Sequence, residues 1–250
     1  MRRLILQLPL VVLLAWLTAG CERAPSLGDQ PLTAEASYRL LFNDEVVGEA
    51  LFSLEIDADG GYRLQVLTVP AGRMARAGAH EILEISTGSL SEGSARPASF
   101  DYSALDGERT ERITLRFDWE ARRLELHANS GERRLALGPG VQDRLSYLLE
   151  ARRLAFVGTG QQAVQIAGPD GAATVRLEPL GRQVLETPAG PVAAVGVVRA
   201  PVGDSQDDPV REIWFDAAEG VLPLRVAHGA EGARVTMERL LFTRLPRDPR

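Results

Sequence analysis

Alternation of apolar and polar residues with period two recurs along most of this chain, and it limits the available folds more than any other feature. Ile113, Leu115 and Phe117 alternate with Arg112, Thr114, Arg116 and Asp118, so an extended backbone there puts apolar side chains on one sheet face and charges on the other. Ala50-Phe52-Leu54-Ile56, Leu124-Leu126, Val164-Ile166, Val175-Leu177, Leu222-Leu224-Val226 and Val235-Met237 repeat the device. Between these runs stand turn-forming residues: Asn43-Asp44, Asp59-Gly60-Gly61, Asp106-Gly107, Asn129-Ser130-Gly131, Pro169-Asp170-Gly171, Pro188-Ala189-Gly190 and Glu231-Gly232. Spacings this short suit antiparallel hairpins and leave no room for crossover helices. The rhythm predicts roughly fifteen strands. The fold class is therefore all-β and mainly antiparallel: a curved sheet, half-barrel or two-sheet sandwich, because a long sheet with one apolar face must curl or fold on itself to bury that face.

One segment departs from the rhythm. From Val141 to Val157, the residues Val141, Leu145, Leu148, Leu149, Ala155 and Phe156 follow helical spacing; Asp143 lies in the first turn, Arg152 and Arg153 near the end, and Gly158 supplies a stop. This predicts one amphipathic helix over 141–157. Its Leu145, Leu148 and Phe156 would cover the concave apolar face of the sheet, as a fixed plug or as a gate.

The first residues give an address. Arg2 and Arg3 precede an apolar run from Leu4 to Leu17, the layout of a bacterial export signal. The run is interrupted by Gln7 and Pro9 and is shorter than the roughly 20 apolar residues of a spanning helix. Leu17-Thr18-Ala19-Gly20-Cys21 resembles the bacterial lipobox, although its leucine sits one place further from the cysteine than is usual. That resemblance implies that residues 1–20 are a signal peptide and that Cys21 is the lipid-attachment site and mature N-terminus. Cys21 is the only cysteine, so no disulfide can form within the chain, and as a thioether it could not oxidise. Residues 21–35, with Pro25, Gly28 and Pro31, read as a flexible tether with a reach of roughly 20 Å. Residues 36–243 then form a single β-rich domain and 244–250 a tail. Glu22 stands where an aspartate would favour the inner membrane, by resemblance to enterobacterial lipoproteins, so the expected location is the periplasmic face of the outer membrane.

Charge and motifs exclude several function classes. The formal net charge is −6, which argues against a nucleic-acid partner, since phosphate binding needs a basic patch. Gly158-Thr159-Gly160-Gln161-Gln162-Ala163 matches a dinucleotide pattern in letters only, because a helix precedes it and a strand-like run follows. His80, His127 and His228 are far apart, and His80-Glu81 lacks the second histidine of a zinc-protease helix. Asp204, Asp207 and Asp208 lack the spaced ligands and closing glutamate of a calcium loop. No Gly-x-Ser-x-Gly elbow occurs. Neither catalytic residues nor a metal or cofactor is expected.

Three segments remain: Gln142-Asp143 with Ser146; Glu186-Thr187-Pro188-Ala189-Gly190; and Glu212-Ile213-Trp214-Phe215 followed by Leu222-Pro223-Leu224-Arg225-Val226. In this order, over about Tyr38 to Phe242, the chain resembles an exported bacterial family of unknown function, number 3108. The resemblance implies an all-β envelope protein with a helical insert, marks Gln142, Asp143, Ser146, Glu186, Trp214 and Phe215 as motif positions, and brings no activity or ligand. The expected function is an envelope lipoprotein that binds or carries a lipid or other apolar ligand without catalysis. A structural or assembly lipoprotein docking an envelope protein partner is the second reading, and an envelope hydrolase without a recognisable motif the third. A cavity beneath the helix would separate the first two.

Overall fold

The computed structural model describes residues 27–106, 109–169, 171–202, 210–229 and 232–245. The first strand, β1 (Leu32–Phe42), lies in the middle of the sheet. From it the chain meanders outward through β2 (Glu45–Ile56), β3 (Gly61–Pro70), a five-residue helix α1 (Gly72–Arg76), β4 (Ile82–Ser91), β5 (Ser94–Asp106), β6 (Arg109–Asp118), β7 (Arg123–Ala128) and β8 (Gly131–Ala136). After β8 it crosses the interior through α2 (Ser146–Val157) to the opposite edge. It then meanders back through β9 (Gln162–Gly168), β10 (Gly171–Thr187), β11 (Gly190–Pro201), β12 (Arg211–Asp216), β13 (Pro223–His228) and β14 (Val235–Arg244). Among the described residues, these fourteen strands make one antiparallel sheet in the order β8-β7-β6-β5-β4-β3-β2-β1-β14-β13-β12-β11-β10-β9.

The sheet is curved and does not close by a β8–β9 pair. Its two edges nevertheless approach, since Arg133 of β8 donates to the Pro169 carbonyl just beyond β9 (3.2 Å). The segment ahead of α2 lies along β9: the Gln142 N–H donates to the Gln165 carbonyl (2.8 Å), and the Ala167 N–H donates to the Gln142 carbonyl (2.7 Å). Register shifts at Leu40/Leu41, Thr87/Gly88, Pro179/Gly181 and Trp214/Phe215 are the bulges that bend such a sheet. Inside the curve, Phe52, Leu54, Leu64, Phe100, Leu115, Leu126, Leu177, Ile213 and Phe215 form one core with α2.

The period-two runs thus fold as the alternation requires, with four differences. The helix begins at Ser146 and not at 141. Val141 is buried from a short stretch that bridges β9 at Gln142, and Leu145 from the turn that leads into the helix, so their helical spacing is incidental. The helix is also not one-sided: Ser146 to Arg152 are all buried, because α2 has β5 on one side and β10, β11 and β12 on the other. It lies inside the curve. The stretch read as a tether gives way to β1 at Leu32, with Leu27 already buried, and β14 continues to Arg244. Finally, Leu224 does not share a face with Leu222 and Val226, because the bulge at Trp214/Phe215 turns it into a separate cluster with Trp214, Leu185 and Ala194.

Candidate functional site

The start of α2 is held by a buried polar network. The Asp143 carboxylate Oδ1 accepts the N–H groups of Leu145 and Ser146 (2.8 Å each), and the Asp143 N–H donates back to Ser146 Oγ (2.8 Å). This is reciprocal capping of the helix amides. Asp143 Oδ2 accepts Ser86 Oγ of β4 (2.7 Å), and Ser86 in turn lies 3.0 Å from Tyr62 Oη of β3. Burial pushes the Asp143 carboxyl above its usual range, against the opposing pull of these donors. Gln142 Nε2 donates to the Ala95 carbonyl (2.9 Å), while Glu150 Oε1 accepts the Ala95 N–H (2.6 Å) and Ser94 Oγ (2.8 Å). The motif residues Gln142, Asp143 and Ser146 therefore pin the crossing segment to β4, β5 and β9.

The other motif residues lie elsewhere. Phe215 is in the core. Trp214 points the opposite way and packs with Leu185, Ala194 and Leu224. Glu186 contributes its backbone, whose carbonyl accepts Arg225 Nη2 (2.6 Å). Phe156, expected in one stripe with Leu145 and Leu148, lies at the far end of the helix against Gly220, beneath the Arg152 guanidinium at 4.9 Å. Arg152 Nε donates to the Gly220 carbonyl, and burial pushes its pKa down to about 10. Cys21 and the acidic stretch Asp204, Asp207 and Asp208 lie outside the described residues.

Beside the first turn of α2 the interior is not filled. A cavity of about 650 Å³ opens there, within the roughly 300–1,000 Å³ of ligand-holding pockets. Its walls come from β1 to β4 and β9 to β14, and its apolar body is formed by Leu40, Phe52, Val66, Leu148, Val226 and Met237. Its polar lining consists chiefly of Glu84, Arg144, Tyr147, Arg199, Arg211 and His228. Arg211 Nη1 donates to Tyr147 Oη (3.2 Å), the Arg199 guanidinium stands 5.6 Å from the Tyr147 ring, and Arg144 Nε is 3.5 Å from Glu84 Oε1. Burial raises the Glu84 pKa, with Arg144 and Arg211 opposing the shift. At the opposite end of the strands, a depression of about 600 Å³ is bordered by Asp57, Arg63, Arg96 and Trp119 and has no comparable apolar body.

Sequence reasoning set Leu145, Leu148 and Phe156 against the concave face; Leu145 and Leu148 border this cavity, Phe156 does not, and the polar lining was missed. A signal existed: Arg199 is in phase with Val195 and Val197, Arg211 with Ile213 and Phe215, and His228 with Val226. A charge in phase with inward-facing apolar residues marks a lumen that is not purely core. Among the described residues, no three His, Cys, Asp or Glu side chains gather as a metal site, and no helix is long and apolar enough to cross a membrane.

Comparison with known proteins agrees with the fold. The family model described as "Protein of unknown function (DUF3108)" matches residues 36–237. The chain is similar to the crystal structure of a beta-barrel-like protein of domain of unknown function DUF1849 from Brucella abortus, at 12% identity and a TM-score of 0.60, over 86% of this chain and 98% of that one. Among curated proteins, none matches.

Proposed function

This chain belongs to the DUF3108 family, and on that premise we propose that it is a membrane-anchored, non-catalytic binding or carrier module for an apolar ligand of the bacterial envelope. One observation carries the reading: α2 fills only part of the curved sheet, and the remaining 650 Å³ is lined by residues of ten strands, seven of which contribute apolar side chains. An apolar space left open beside a fixed plug suits a ligand better than it suits a core, whose interior would normally be close-packed. The anchor is Cys21, acylated at the mature N-terminus, where more than one acyl chain is needed for firm retention.

The test is native mass spectrometry of the protein purified from its own envelope. A co-purified apolar molecule is expected, and Met237→Trp, which adds bulk at the cavity wall, should abolish it. A wild-type spectrum without any bound species would count against the carrier reading. For the anchor, Cys21→Ser should move the protein from the membrane fraction to the soluble one; retention after a high-salt wash would refute it.

The docking reading keeps one supporting observation. On the outer face, Leu51 of β2 and Leu241 of β14 flank Ser37 of β1 in register and are 55% and 71% exposed. Leu51→Asp with Leu241→Asp would weaken a partner complex while leaving the cavity untouched.

A further inference from the structure

In an antiparallel sheet of this order, every turn between strands belongs to one of two ends of the molecule. The cavity opens at the end that carries the β1–β2, β9–β10 and β13–β14 turns, since Gly168, Pro169, Gly171, His228 and Val235 are in its lining. The chain enters at the other end. Leu32 opens β1 opposite Ile56, the last residue of β2. Ahead of it Leu27 is buried in the core, and Gly28 lies against Leu90, beside the β4–β5 turn. The fold therefore takes hold of the chain at Leu27, and only Glu22 to Ser26 separate that point from Cys21.

Length decides what so short a leash allows. From Cys21 to Leu27 it spans about 20 Å when fully extended and about 13 Å on average. Along β3, from Gly61 to Pro70, the molecule covers about 30 Å, or about 23 Å of height at the usual strand tilt. The helix α1 stands beyond that. A mouth pressed onto the anchoring bilayer would thus hold Leu27 farther from the surface than the leash extends. We infer that the molecule stands on the end opposite its cavity mouth: the β2–β3, β4–β5 and β6–β7 turns face the anchoring bilayer, and the mouth opens toward the aqueous side. This rests on the Cys21 anchor and the cavity reading above, and adds the direction from which a ligand is exchanged. Lipid of the anchoring leaflet then has no direct path into the lumen.

The test places the mature acylated chain on phosphatidylcholine vesicles doped with rhodamine-labelled lipid, and reads energy transfer from fluorescein on one introduced thiol. Cys21 is the only cysteine, and as a thioether it does not react, so each variant is labelled at a single site. Met74→Cys puts the donor on α1 at the mouth end, where Met74 is 42% exposed, and Glu120→Cys puts it on the exposed β6–β7 turn. The donor at position 120 should lose most of its emission to the bilayer, and the donor at position 74 little. If either variant fails to fold, Arg76→Cys and Asp59→Cys make the same comparison. A flexible insert of about 20 Gly and Ser residues between Ala24 and Pro25 raises the average reach to roughly 28 Å and should remove the difference. With the native leash, equal transfer from both ends or greater transfer from position 74 would overturn the orientation and leave the cavity reading to native mass spectrometry. A difference that survives the long leash would overturn the leash as its cause. Failure of the acylated chain to associate with vesicles would overturn the anchor and the orientation together.

Discussion

At Gly196, on β11, the ring of its cross-strand partner Trp214 occupies the space of a side chain: a Cβ there would come 2.4 Å from Trp214 Cζ3. Gly196→Ala should therefore push the indole away from Leu185, Ala194 and Leu224 and cost about 1–3 kcal/mol by urea unfolding, with indole fluorescence shifted toward that of solvent. Asp143 works through charge instead. Its folded pKa is raised by burial, so the native state holds a proton more firmly than the unfolded chain. The stability this contributes is fully present below the ordinary carboxylate range and is lost as pH rises through the folded value. Asp143→Asn keeps an acceptor for the Leu145 and Ser146 amides and removes the titration. Urea midpoints from about pH 4 to about pH 8 should thus fall less steeply in the variant than in the wild type. An unchanged slope would mean that Asp143 does not titrate in that window.

For α2, burial on nearly all sides makes stability the readout. Leu149 is 2% exposed among packed neighbours, so Leu149→Ala should cost about 2–5 kcal/mol. Leu148→Ala should cost less, near the lower end of that range, because Leu148 already borders open space and its truncation only enlarges the cavity. Helix amides should exchange as slowly as those of the central strands; fast exchange would make α2 a gate. The helix was legible because Leu148, Leu149 and Ala155 repeat at helical spacing before a glycine stop. Its start was not legible, since the bridge and turn from Val141 to Leu145 bury apolar residues at intervals that imitate a helix. Nor was its near-complete burial: Ser146, Glu150 and Arg152 are polar, and only Asp143 ahead of the helix, Ser94 and Ala95 of β5 and Gly220 of the β12–β13 turn give them interior partners.

Over the whole molecule, alternation made the strands legible because a single inward face runs through almost all of them. Leu224 shows the limit, since one bulge reverses the face and sequence phase alone does not reveal it. The cavity was hidden for a different reason: each strand contributes only one to a few residues to it, and the row Arg199, Arg211 and His228 exists only once register is known. The central seam is also non-local, since Ala34 of β1 pairs with Arg244 of β14. Ending the chain at residue 234 should leave β1 and β13 with bare edges, so the fragment should aggregate and lose its native near-ultraviolet dichroism; a soluble fragment with the native spectrum would show that the β1–β14 seam is dispensable. Non-local pairing of this kind also sets an order of events. Both the first four strands and the last six line the lumen, so the space does not exist until the C-terminal strand has paired. Under the proposed export, filling of the lumen would follow translocation, and whatever fills it would be met on the far side.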